Sequence, residues 1–167
     1  GHDLVEASPQ IMGSDVSIAV VKTVCADVRA DILDAEKLVG REATSNDVEP
    51  ATWMLGTIGQ QLSAAELTRS LRFLQQTSRQ VGEFLNDFDV LLTPTLSRPP
   101  IAIGTHHPRW QDFVGRILLK TFKPGTLLKF RAVLENIASQ AFEFAPFTPL
   151  FNVTGQPAMS VPLHWNA

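Results

Sequence analysis

The tetrad Ser63-Ala64-Ala65-Glu66 constrains the fold most, because it sets both the start and the phase of a helix. A serine followed three residues later by glutamate forms a capping box, in which each side chain satisfies the other's free backbone N–H. Behind it Leu67, Leu71, Leu74, Ser78, Val81 and Leu85 recur at helical spacing, which predicts one long helix with a single inward stripe. Strand side chains alternate with a period of two and cannot share a face at that spacing.

The same period recurs elsewhere. From Asp15 to about Leu38, the residues Ile18, Val21, Cys25, Val28 and Ile32 fall on one helical face, and Gly40 supplies a C-cap. Glu49-Pro50-Ala51-Thr52-Trp53 opens a shorter helix, since proline is tolerated in the first turn, where an N–H has no intrahelical partner. Gly56 and Gly59 leave the far end of that helix open. Two more helical stretches, Trp110 to Phe122 and Leu127 to Phe142, flank the turn Lys123-Pro124-Gly125-Thr126.

Two short runs break the helical pattern. Val90 to Thr93, stopped by Pro94, and Ala158 to Val161, set among Gly155, Pro157 and Pro162, predict buried strands. Strands need partners for their N–H and C=O groups, and two or three isolated ones cannot make a sheet. The expected fold is α/β: a helix-rich fragment contributing two or three strands to a mixed central sheet formed mainly by residues absent from the chain. The ends agree with that expectation, since the start is not Met and the finish Val161-Pro162-Leu163-His164-Trp165-Asn166-Ala167 lacks a cap or polar tail. Residues 1–167 are read as part of one domain, truncated at both ends.

Bulk properties set limits without naming a function. With 167 residues, 44% of them hydrophobic, the chain can bury a sizeable core. Its net charge of −3 and scattered Lys and Arg argue against a nucleic-acid partner. No apolar run approaches the roughly 18 to 20 residues that span a bilayer, so a membrane partner is not expected. The single cysteine, Cys25, allows no internal disulfide or cysteine-based metal cluster, which agrees with a reducing compartment, by default the cytoplasm.

Three segments, in order, carry a resemblance. They are Gly1-His2-Asp3-Leu4-Val5-Glu6-Ala7-Ser8-Pro9; then Phe88-Asp89-Val90-Leu91-Leu92-Thr93-Pro94-Thr95; and the run from Phe147 to Pro162, Phe-Thr-Pro-Leu-Phe-Asn-Val-Thr-Gly-Gln-Pro-Ala-Met-Ser-Val-Pro. Together they resemble the carboxy-terminal portion of the amidase signature family. Within that family the spacing and the tryptophan segment are most similar to bacterial amidases of the 6-aminohexanoate cyclic dimer hydrolase group.

The resemblance implies a hydrolase acting on carboxylic amides, linear or cyclic, through a serine, a second serine on a cis peptide, and a lysine. No cofactor or metal is implied, and the expected partners are a small-molecule amide substrate and an amino-terminal catalytic portion. The family's Gly-Gly-Ser-Ser-Gly-Gly-like loop is absent here: the serines at positions 8, 14, 17, 45, 63, 70, 78, 97, 139 and 160 lie in no such setting. No catalytic residue is therefore assigned to this chain, which alone is expected to be inactive. The alternative is a non-catalytic, amidase-like binding or scaffold module.

The remaining candidates are weighed singly. Cys25, on the apolar face of the first helix, fits a small buried hydrophobe first and a substrate-binding, pocket-lining residue second. His106-His107 lacks a second ligand pair for a metal, and His2 and His164 fit structural roles better than catalysis. Asp87 and Asp89 fit a solvated turn. Asn152 and Thr154 are suited to hydrogen-bonding the backbone of the turn at Gly155. Ordinary core packing accounts for most of the aromatics after Thr95, and it is the resemblance that implies a pocket walled by the first helix and the loop after Thr95.

Overall fold

The computed structural model describes residues 1–11, 13–99, 101–102 and 126–162, the side chains of 126–130 excepted. Five helices are described: α1 Gly13–Val39, α2 Pro50–Gln61, α3 Ala64–Phe84, α4 Thr126–Phe144 and α5 Thr148–Thr154. The expected helix over 110–122 and the His106-His107 pair lie outside the described residues, as does His164.

α1 is the organising element, with α2, α3 and α4 all packed against it. Its stripe is wider than one face, because it serves two clusters. Val21 and Cys25 join Met54 and Ile58 of α2 and Leu134, Ile137 and Ala138 of α4 in the larger cluster. One turn back, Val16 and Ala19 meet Leu74 of α3, with Phe73 and Val153 at the edge. Leu134 is 1% exposed, and burying a leucine that fully contributes about 1.5–3 kcal/mol.

Two glycines explain how α2 approaches α1 so closely. A Cβ on Gly59 would collide with the carbonyl oxygen of Cys25 and lie 2.6 Å from its carbon, and one on Gly56 would sit 2.5 Å from Ile32 Cδ1. The glycines therefore do not end the helix early. α2 runs through both to Gln61, where the Leu62 N–H donates to the Gly59 carbonyl at 3.2 Å.

The caps follow the sequence signals. Gly40, at φ 75°, closes α1 with its N–H on the Glu36 carbonyl at 2.9 Å. Ser63 N donates to Glu66 Oε2 at 3.0 Å while Glu66 N donates to Ser63 Oγ at 3.2 Å, completing the capping box. Between α1 and α2 the loop is held by Arg41, whose two terminal nitrogens donate to the Asp47 carboxylate at 2.6 and 2.9 Å. Thr44 adds N–H and O–H bonds to the same carboxylate at 2.8 and 2.7 Å.

Two expectations are corrected. The α/β reading, with strands joining a mixed sheet, fails: among the described residues there is no strand or sheet. Val90 to Thr93 and Ala158 to Val161 are irregular segments without a backbone ladder, and Val90, Leu92 and Met159 are 77%, 74% and 88% exposed. Helix–helix contacts satisfy the core instead, and among the described residues neither run meets a partner for its N–H and C=O groups. Second, the buried stripe of α3 is Ser70, Leu74, Thr77 and Val81, whereas Leu71 faces solvent. The stripe is rotated because α3 is held on one side by α1 and on another by α5.

Candidate functional site

The structure places Cys25 in the centre of the larger cluster, fully buried between α1, α2 and α4. Burial pushes its thiol from 9.0 up to about 12, so it stays protonated and non-nucleophilic at neutral pH. Among the described residues it lines neither a groove between α1, α3 and α4 nor a cavity between α1, α2 and the loop that joins them.

The larger of these is a groove of about 680 Å³ between α1, α3 and α4. Ile18, Ala19, Phe73 and Leu134 make its floor, and Asp15, Lys22, Glu66, Arg69 and Arg131 line it with charge. The charges divide into committed and uncommitted groups. Glu66 is engaged by the Ser63 backbone and hydroxyl, which, with the field of Lys22, hold its carboxyl below the usual range. Arg131 donates to Glu135 at 2.7 Å, and that bond, reinforced by the nearby carboxylates, raises its pKa. Lys22 and Arg69 form no ion pair among the described residues.

The groove combines an apolar floor with charges of both signs. The described serine hydroxyls with hydrogen bonds are spent structurally: Ser17 donates to the Gly13 carbonyl, Ser63 to the Glu66 carboxylate, Ser78 to the Leu74 carbonyl and Ser97 to the Glu143 carbonyl, at 2.9, 2.8, 2.9 and 2.6 Å. No Ser–Lys hydrogen bond occurs among the described residues. Nor do three or more His, Cys, Asp or Glu residues gather to hold a metal there, and no helix among the described residues is long and apolar enough to cross a membrane.

The start of the loop after Thr95 is pinned to the end of α4. Ser97 gives its O–H to Glu143 and its N–H to Phe144 at 3.0 Å, while Arg98 pairs with Glu143 at 3.3 Å and lies 5.9 Å over the Phe144 ring. These bonds cap free helix carbonyls. Asp87 and Asp89 are exposed beside the end of α3, as a solvated turn requires, and His2 is exposed.

The Phe147 to Pro162 segment differs from expectation. Its first half is helix α5, closed by Gly155 at φ 70°, so Asn152 and Thr154 are helical and do not bond the turn. Thr154 Oγ1 and Gln156 Oε1 are instead buried without a hydrogen-bond partner among the described residues. Sequence reasoning also missed the groove. A signal existed: Asp15, Ile18, Ala19 and Lys22 fall at spacings of three, one and three, a stripe beside the expected core face of α1.

No family model matches the chain, and no solved structure matches it. Curated proteins do. The chain is 27% identical over 98% of its length to the 6-aminohexanoate-cyclic-dimer hydrolase of Paenarthrobacter ureafaciens and equally to that of Pseudomonas sp. (strain NK87). It is 27% identical over 81% of its length to the lipoamidase of Enterococcus faecalis. It spans 30% of the length of each cyclic-dimer hydrolase and 18% of the lipoamidase. The resemblance drawn from the three motifs is borne out: the chain is a relative of amidase-signature enzymes.

Proposed function

We propose that the chain is the non-catalytic, scaffold-building part of a hydrolase that cleaves carboxylic amide bonds, and that the reacting groups lie in residues outside it. The observation carrying this reading is the alignment of nearly the whole chain with amide hydrolases of which it spans less than a third. In that enzyme a lysine, acting through a bridging serine, takes the proton of a nucleophilic serine. The nucleophile then adds to the amide carbonyl, backbone N–H groups hold the oxyanion, and the amine leaves protonated before water releases the acid. The substrate is a small linear or cyclic amide. A reducing cytoplasm suits the buried, unpaired Cys25.

The test is expression of the complete open reading frame that contains these residues. Its product is incubated with 6-aminohexanoate cyclic dimer and with a lipoyl amide, and treated in parallel with a serine-directed organophosphonate. Amide hydrolysis, with the label mapping to a serine outside residues 1–167, is expected. Loss of neither amide would sink the reading and leave a binding or scaffold module in its place; a label on a serine within 1–167 would overturn the non-catalytic assignment of this chain.

A further inference from the structure

We infer that Ser97 and Arg98 are positioning residues of the proposed amidase, latching the end of segment 88–95 onto the end of α4 and so setting how tightly the amide substrate is held. This deepens the proposed function and rests on it. Ser97 gives its hydroxyl to the Glu143 carbonyl at 2.6 Å, with the Phe144 carbonyl 3.3 Å away, and its backbone N–H reaches the Phe144 oxygen at 3.0 Å. Arg98 adds an ion pair to the Glu143 carboxylate at 3.3 Å and stands 5.9 Å over the Phe144 ring. Main chain, hydroxyl, charge and ring thus converge on the last two residues of α4.

The latch stands between two of the segments that carry the amidase resemblance. Segment 88–95 ends just before Ser97, and segment 147–162 begins just after Phe144. Each is also tied to α3: the Phe88 ring packs on Phe84 with centroids 4.8 Å apart, and Ser78 Oγ lies 3.5 Å from the Val153 carbonyl oxygen. Hydrogen bonds spanning 46, 47 and 75 residues therefore all end on the stretch from Glu143 to Val153. Neither segment joins a backbone ladder among the described residues, so the anchors at their ends set where they lie. Between and beyond those anchors Val90, Leu92, Met159 and Val161 are exposed, and apolar side chains of that kind suit contact with the body of a small amide. A displacement of about 1 Å there is enough to alter how a substrate is held.

The test uses the complete parent protein and whichever amide, 6-aminohexanoate cyclic dimer or a lipoyl amide, the wild type cleaves. Ser97→Ala removes the hydroxyl from the Glu143 carbonyl, and Ser97→Thr keeps it. In Ser97→Ala the KM is expected to rise about fivefold, the worth of one ordinary hydrogen bond, with kcat within about twofold. Ser97→Thr is expected to recover the wild-type KM. Arg98→Ala moves KM the same way by about twofold, because its ion pair is half exposed, and it carries the test if Ser97→Ala does not fold. Lys37→Ala, which removes an exposed ion pair on α1, is the control and leaves KM unchanged.

A merely structural role gives another pattern: less folded enzyme, hence a lower apparent kcat at unchanged KM. That pattern in Ser97→Ala overturns the inference. So do wild-type constants in both latch variants, a Ser97→Thr protein as impaired as Ser97→Ala, or a KM raised equally by Lys37→Ala. Wild-type hydrolysis separates the two readings. An active wild type whose latch variants match it retains the amidase reading and loses the latch. A wild type that cleaves neither amide loses the amidase reading and, with it, the role assigned to Ser97 and Arg98.

Discussion

The α1–α2–α4 centre and the segments that follow α3 and α5 differ in how completely this chain satisfies them. In the centre, Cys25, Met54, Ile58, Leu134 and Ile137 are all but sealed from water, and Gly59 and Gly56 let α2 close on the Cys25 backbone and the Ile32 side chain of α1. Around the other segments Val90, Leu92, Met159 and Val161 lie exposed, and Thr154 and Gln156 bury oxygens without partners. The sealed centre is ordinary helix packing and could belong to many proteins. Two of the three motifs that link the chain to amidases lie wholly or partly in these unsatisfied segments.

The comparison breaks most readily at Leu134. Leu134→Ala is expected to cost about 3–4 kcal/mol in urea unfolding of the protein, whereas Leu92→Ala, at an exposed site, stays within about 0.5. Equal costs would erase the distinction between the regions. Gly59→Ala comes next, at about 3 kcal/mol, because the new methyl meets the Cys25 backbone, which cannot swing aside as a side chain would.

Cys25 sharpens the contrast through pH. Its folded pKa of about 12 lies above the ordinary 9.0, so the unfolded chain loses the thiol proton first as pH rises. Stability is therefore whole below pH 9.0 and falls between there and about 12, by up to about 1.4 kcal/mol per pH unit. Denaturant midpoints of the wild type and Cys25→Ala between pH 8 and 11 check this, with the alanine protein expected to lack the decline. Smallest is Thr154→Val, which removes an unpartnered buried hydroxyl and is expected to be neutral or to stabilise by up to about 1 kcal/mol. A loss of more than that would show that the hydroxyl has a partner in the intact protein.

What could be read in the sequence was whatever local chemistry decides. The capping box at Ser63 and Glu66, Pro50 at the start of α2 and Gly40 at the end of α1 are short-range signals, and all appear where expected. α5 was misread, although Pro149 in its first turn and Gly155 at its end are proper start and stop signs. Its seven residues are too few to show a period, so Asn152 and Thr154 were read only as bonding the turn at Gly155. The strand expectation at Val90 failed for a different reason: pairing is non-local, and β-forming residues without a partner take no ladder. The groove was hidden because it depends on three helices meeting, which no single stretch encodes.

The close approach at Gly59 also bears on how the chain reaches its structure. α1 and α2 are joined by ten residues, 40–49, which Arg41 and Asp47 draw together, so this pair closes a short loop at small entropic cost. Pairs so near in sequence form early, and α4 must cross a far longer separation to find α1. On a ribosome every residue of the α1–α2 hairpin is made before those of α4, and the hairpin is expected to form first. It offers them a finished template, with Met54 and Ile58 already beside Cys25 when Leu134 arrives.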